Sequence, residues 1–298
     1  MVKVLVNGPS SWNMLVDLDE LPPAHPHMVI ANGHRWGLGG TSAGKALGLA
    51  RLGIPTTLRT VLGTDPDAEK IRAAVQHPGL TLIDDVVDGP SEHHLNLMSA
   101  SGGRVSIYLD QTGAADALPT ALADALTAAD IAVIDLTASS LPVLGAARRA
   151  GCEIWCDLHD FDGRNEFHRP FIEAADVLLV SADRLPDPHA FLRQRVDAGT
   201  SLAICTMGAA GARAVSTTEG DWWVSAVPVD DVVDTNGAGD AFLVGLLAAR
   251  LDGRSVPDGL RWAAAAGAIA VQSTDLVSPR LSRRAVRALA PQCEVSPD

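Results

Sequence analysis

Short apolar runs of strand length alternate along this chain with segments of helical pattern, and that alternation limits the available folds more than any other feature. "VKVLVN" at 2–7 is followed by "SAGKALGLARLG" at 42–53, then "TTLRTVLG" at 56–63 by "AEKIRAAVQH" at 68–77. The rhythm resumes with "IAVIDL" (131–136), "LPVLGAARRAG" (141–151), "EIWCDL" (153–158), "RPFIEAA" (169–175), "DVLLVS" (176–181), "LRQRVDAG" (192–199) and "SLAICTMG" (201–208). Strand–helix alternation with short turns predicts an α/β fold, a doubly wound and mostly parallel sheet with helices on both faces. A β-hairpin-like meander at 213–229 and two helices, from 239 and from 257, close the pattern. The length of 298 residues suits one α/β domain over 1–298, and 47% apolar residues supply its core.

One region breaks the rhythm. "HHLNLMSASGGRVSIYLDQ" at 93–111 alternates apolar and polar residues on either side of "SGGR", as two strands of a hairpin do. The segment "HPHMVIANGHRW" at 25–36 is expected to pair with it. Together they predict a small antiparallel β lid formed by insertions around 12–37 and 92–112. Its exposed strands make a homodimer through the lid an expectation. His93 and His94 begin the hairpin and are expected to be exposed.

The formal charge of −13 argues against binding nucleic acid or an anionic membrane, both of which need a basic patch. It leaves phosphorylated small molecules open, because local amides and one or two cations hold them. The N-terminal residues lack a signal-peptide pattern, and "WAAAAGAIAV" at 262–271 is too short to span a bilayer, so a cytoplasmic location is expected. The spacing of Cys152, Cys156, Cys205 and Cys293 fits no common zinc or redox motif; they are expected to be reduced and buried.

"GLGGTSAGKA" at 37–46 has the glycine and lysine spacing of a P-loop, but Ala46 stands where that motif needs a Mg²⁺-binding hydroxyl, and no buried strand leads into it. Lys45 is expected to be a solvated residue in the first turn of a helix. "ADIAVIDL" at 129–136 ends its apolar run at Asp135, as strands of parallel sheets often do.

The chemistry concentrates in "DDVVDTNGAGDAFLV" at 230–244. A strand end is expected to feed Asp234 and Thr235, and a small-residue turn then opens a helix near Asp240. Such a turn presents unpaired backbone N–H groups and the positive end of the helix dipole to an anion. Asp240 has the wrong charge for phosphate binding alone; it fits a general base beside a phosphoryl group. Helix capping is the plainer role open to it.

The whole stretch "DTNGAGDAF" closely resembles the C-terminal signature of the ribokinase-like (phosphofructokinase-B type) carbohydrate kinases. "LGGTSAGKALGLARLG" is similar to that family's N-terminal Gly-Gly signature, and "TMGAAGA" at 206–212 to its Thr-x-Gly-x-x-Gly turn. The resemblance spans essentially the whole chain. It implies ATP-dependent phosphorylation of a hydroxyl on a sugar or sugar-like molecule, with Mg²⁺ as cofactor. By resemblance, Asp240 is the base and Gly237, Ala238 and Gly239 form the anion hole. Asn13, Gly39, Gly40 and Thr41 face the acceptor, while Thr206, Gly208, Gly211 and Asn236 border the nucleotide. Asp157 is the candidate Mg²⁺ ligand, and Asp234 belongs to a loop where many members bind a monovalent cation such as K⁺.

Departures qualify the substrate. Asn13 replaces a frequent Asp, Gly44 a frequent Asn, and Ser181 and Arg184 stand where the family's Asn-x-x-Glu falls. The family's Asp-x-Asn corresponds to Asp157-Leu158-His159. A less acidic, roomier pocket favours an acceptor larger than a free pentose. A nucleoside kinase of the same fold and a regulatory binder without turnover are the alternatives.

Overall fold

The computed structural model describes residues 2–113 and 117–298. The chain opens with β1 (Val4–Asn7), β2 (Ser11–Leu18), β3 (Gly33–Gly39), α1 (Thr41–Arg51), β4 (Thr56–Leu62), α2 (Pro66–Ala74) and β5 (Leu80–Val86). Next come β6 (His93–Ser99), β7 (Arg104–Asp110), α3 (Thr120–Ala128), β8 (Ile131–Ile134), α4 (Leu141–Ala150), β9 (Glu153–Asp157), α5 (Arg169–Ala174), β10 (Val177–Ser181) and α6 (Pro188–Asp197). The last part holds β11 (Leu202–Thr206), β12 (Ala212–Ser216), β13 (Gly220–Val224), α7 (Ala238–Leu251), α8 (Val256–Ala270), α9 (Arg283–Leu289) and β14 (Val295–Pro297).

The larger sheet has the order β14-β13-β12-β11-β10-β9-β8-β1-β4-β5. Pairing is parallel from β11 through β5, and β12, β13 and β14 add antiparallel strands at one edge. Strand β1 shows why this sheet must be covered on both sides. Val4 and Val6 join the apolar layer under α1, α7 and α8, whereas Leu5 joins the layer under α3 to α6. Strands buried on both faces read as continuous apolar runs, and all four residues of β1 are buried. Helices α7 and α8 pack closely at Gly245, where a Cβ would meet the Trp262 carbonyl oxygen at 2.5 Å.

The C-terminal ends of β1, β8, β9, β10 and β11 share one edge of the sheet, where ligands of open α/β folds bind. The N-termini of α1 and α7 converge on the same edge.

The lid is a separate four-stranded sheet in the order β3-β2-β6-β7. Its two hairpin pairings are antiparallel, and they are joined by a parallel pairing of β2 with β6. The pairing expected for 25–36 differs: residues 25–32 carry no strand, and β3 reaches the 93–111 hairpin only through β2. The alternation in "SWNMLVDL" marks that intervening strand. Rows across the sheet separate its faces. Trp36, Met14, Leu95 and Ile107 form an outer row, and Arg35, Leu15, Asn96 and Ser106 an inner one.

Candidate active site

Asp240 lies in the first turn of α7, which is preceded by an irregular stretch, 225–236, rather than the expected strand end. The turn closes through Gly237, whose φ of 75° is the left-handed conformation that glycine adopts without strain. The Ala238 amide donates to the Thr235 carbonyl at 3.3 Å. The amides of Gly237, Gly239 and Asp240 have no acceptor among the described residues, leaving three donors at a helix N-terminus. A Cβ at Gly239 would meet nothing within 4 Å, so the space in front of this turn is open.

Helix α1 supplies the groups beside the carboxylate. The Thr41 hydroxyl donates to Asp240 Oδ1. One turn on, Lys45 Nζ donates to Thr41 Oγ1 at 2.8 Å. The Lys45 ammonium also lies 3.1 Å from Asp157 Oδ2, 3.3 Å from Asp240 Oδ1 and 2.5 Å from Asp135 Oδ1. Its side chain is fully buried, which corrects the expectation of a solvated lysine. The reason is electrostatic: an ammonium enters a core when carboxylates compensate the lost hydration. Asp135, the acid that ends the β8 run, also accepts from the Ser42 hydroxyl at 2.6 Å. Gly44 lies behind the base, where a Cβ would stand 3.4 Å from Asp240 Oδ2 and 3.5 Å from Leu276. It makes room for the carboxylate itself.

These contacts push the ionisations apart. Burial tends to lower Lys45, but Asp135, Asp157 and Asp240 outweigh it and hold the ammonium far above its ordinary range. Burial tends to raise Asp157, but His159, Lys45 and the His159 amide overcome it, so Asp157 stays ionised well below the usual carboxylate range. For Asp240 burial wins over Lys45 and His159, and its pKa lies above the ordinary value.

Asp157, His159 and Asp240 each offer a ligand atom within 4.8 Å of the others. His159 has a left-handed φ of 50°, and its amide donates to Asp157 Oδ1 at 3.0 Å. The donor chemistry fits Mg²⁺ at Asp157 through the ion's own water shell, since Mg²⁺ keeps several waters and Lys45 already flanks Oδ2.

On the acceptor side, Asn13 is buried, and its Oδ1 accepts from the His94 amide at 3.2 Å. Gly39 packs directly on the Asn13 side chain. Gly40, with φ of 89°, is the N-cap of α1; a Cβ there would meet the Pro9 carbonyl oxygen at 2.5 Å. His94 is 7% exposed and stacks on Tyr108 with ring centroids 3.9 Å apart, contrary to the expectation of an exposed histidine. On the nucleotide side, Thr206 ends β11 and Gly208 and Gly211 form the turn to β12, with φ of 54° and 90°. Arg184 is exposed and lies against Asp160 and Asp162.

Asp234 does not fit a monovalent cation. Its Oδ2 accepts from Arg35 Nη2 at 2.8 Å and its Oδ1 from the Asn236 amide at 2.8 Å. Arg35 also bonds both oxygens of Asp17, and Arg104 donates to Asn236 Oδ1 at 2.6 Å. Two lid arginines thus hold the residues on either side of Thr235. Asn236, expected at the nucleotide, directs its side-chain oxygen to the lid. Lys45, Asp135, Arg35 and Arg104 are the residues that sequence reasoning missed. Lys45 carried a signal in its i+4 spacing from Thr41, and Asp135 in its place at the end of an apolar strand run.

Comparison with known proteins gives the family. The family model described as pfkB family carbohydrate kinase matches residues 170–283. The acarbose 7(IV)-phosphotransferase of Actinoplanes sp. is 32% identical over 90% of this chain and 91% of its own length. The ATP-dependent ribose-1-phosphate kinase of Halopiger xanaduensis is 28% identical, covering 90% and 92%. Among solved structures, a microbiome-derived acarbose kinase superposes with a TM-score of 0.86 over 97% of this chain and 99% of its own, at 24% identity. Fold and relatives together define an ATP-dependent sugar kinase. The chain belongs to the pfkB family of carbohydrate kinases. Among the described residues, no helix is long and apolar enough to cross a membrane.

Proposed function

We propose that this kinase transfers the γ-phosphoryl group of ATP to a hydroxyl of an acceptor larger than one sugar ring, with Asp240 as general base. The observation that carries the catalytic part is the position of Asp240 beside three free amides at the start of α7. The acceptor hydroxyl approaches Asp240 and gives up its proton as the oxygen attacks phosphorus. The amides of Gly237, Gly239 and Asp240 stabilise the charge on the equatorial oxygens. Thr41 and Lys45 fix the carboxylate's orientation. Mg²⁺, held through Asp157, would neutralise phosphate charge when bound. The lid excludes water from the transfer.

The size of the acceptor follows from the lid and from one relative. The inner face of β3 presents Gly33, Arg35, Gly37 and Gly39, so three of its four inward positions carry no side chain. A Cβ at Gly37 would meet nothing within 4 Å. That sparsely covered face leaves room under the lid, and the Actinoplanes relative is named for phosphate transfer to position 7(IV) of acarbose. An ATP-consumption screen over pentoses, hexoses, nucleosides, maltotriose and acarbose tests the reading. The multi-ring acceptors should give the highest kcat/KM. Ribose or a nucleoside as the best acceptor would overturn it.

We further infer a homodimer through the outer face of the lid. Trp36, Val105 and Ile107 are 45%, 43% and 41% exposed there, a contiguous apolar surface of the kind that marks an interface.

A further inference from the structure

A cavity of about 290 Å³ opens at the far end of the lid, between the strand ends and the segment 232–235. Asp17, Arg35 and Met98 bring its wall from the lid, while Val232, Asp234 and Thr274 close the other side. We propose that this cavity is a second acceptor subsite that holds a distal, neutral ring of an extended carbohydrate. The proposal rests on the multi-ring reading of the acceptor given above.

Position comes first. Asp17 pairs with Gly33 and Met98 across the lid, in the same inner face as Arg35 and Asn13. It lies four residues beyond Asn13 on β2, about 13 Å at strand rise. That distance exceeds one sugar ring; Leu15 and Arg35 cover the inner face between the two, while Gly37 and Gly33 stand bare opposite Asn13 and Asp17. Size agrees as well. Pockets for whole small ligands begin near 300 Å³, so this cavity suits one ring with part of its neighbour.

Chemistry selects the ligand. Carboxylates accept from paired hydroxyls, and a guanidinium donates to them in a planar fork. Both groups are present and held rigid, with Arg35 bridging Asp17 and Asp234. Thr274 adds a hydroxyl, and Met98 an apolar patch for a ring face. Two carboxylates face Arg35 in the wall, and Arg104 reaches Asn236 beside Asp234, so the cavity has little net charge. Such a wall offers hydroxyl-matching donors and acceptors without a net charge to balance an ionised group, so it selects a neutral ring.

The test fills the cavity from its exposed wall. Thr274 makes no side-chain hydrogen bond among the described residues, and Val232 is 56% exposed, so Thr274→Trp and Val232→Trp should both fold. In each, kcat/KM for acarbose relative to that for the best single-ring acceptor should fall at least tenfold, through KM. Calorimetry in the Asp240→Asn background reads binding without turnover; the acarbose Kd should rise by a similar factor on adding either tryptophan. An unchanged ratio, an equal loss for both acceptors, or a wild-type protein that binds no acarbose overturns the subsite. Phosphorylation of single-ring sugars would in the last case leave the role of Asp240 standing.

Discussion

Lys45 Nζ lies 3.3 Å from Asp240 Oδ1 and is wholly buried, so the base shares this ammonium with Asp135 and Asp157. Two consequences follow for Lys45→Met. Removing the cation strips it from buried Asp135 and Asp157 and from half-buried Asp240, and breaking a buried ion pair in this way costs about 3–5 kcal/mol. Lys45 lowers the Asp240 pKa against the dominant effect of burial, so its loss raises that pKa further. The base must be ionised to act; the acid limb of kcat/KM therefore moves to higher pH. Urea unfolding and a pH–rate profile measure the two effects. An unchanged acid limb would detach Lys45 from the base.

Gly239→Val separates the turn from its ligand. A Cβ at Gly239 meets no protein atom within 4 Å, and the position is helical. Valine has a better helix propensity than glycine, by a few tenths of a kcal/mol. The melting temperature should hold or rise slightly, while turnover falls by about 10² or more as the side chain enters the phosphoryl space. A variant of normal activity would show that the phosphate does not approach this amide.

Much of this site was legible in the sequence. The strand–helix alternation gave the sheet, because strands buried on both faces leave continuous apolar runs such as "VLVN". "DTNGAGDAF" marked the nest and Asp240, because only small residues fit a turn whose amides must face a ligand. Lys45 was misread because a lone lysine in a helix is usually solvated. Its burial depends on Asp135, Asp157 and Asp240, which come from three distant elements, and no local pattern encodes that meeting. The insertion around 12–37 was expected in the lid, but the central place of β2 was not read for a similar reason, since it depends on β3 and β6 closing around it. Arg35 and Arg104 look like ordinary edge-strand charges until the lid folds over Asp234 and Asn236.

The Arg35–Asp234 pair predicts that activity needs no monovalent cation. Both oxygens of Asp234 already have donors, one of them a guanidinium. Rates in K⁺, Na⁺ and a bulky organic cation at matched ionic strength should agree within about twofold. A strong K⁺ requirement would mean that Arg35 leaves Asp234 during turnover.

Ile107→Lys tests the outer face of the lid. Ile107 ends the row that runs through Leu95 and Met14 to Trp36, and it is exposed, so a charge there would fall within the proposed dimer contact. Light scattering after size exclusion should give a dimer for the wild type and a monomer for the variant. A monomeric wild type would remove the interface.

The central claim is that Asp240 takes the acceptor's proton, and Asp240→Asn tests it most directly. Asparagine keeps the size of the side chain and removes the proton acceptor, so turnover should fall by roughly 10²–10⁴ with ATP affinity nearly unchanged. The same variant carries a stability signature. The folded pKa of Asp240 lies above the ordinary value, so the ionised carboxylate costs stability at neutral pH and the protonated form does not. Asp240→Asn should therefore melt higher than the wild type at pH 7, with the gain shrinking as the pH falls through the raised folded pKa toward the ordinary carboxylate pKa of about 4. An Asp240→Asn enzyme that phosphorylates its best acceptor at the wild-type rate would contradict the account.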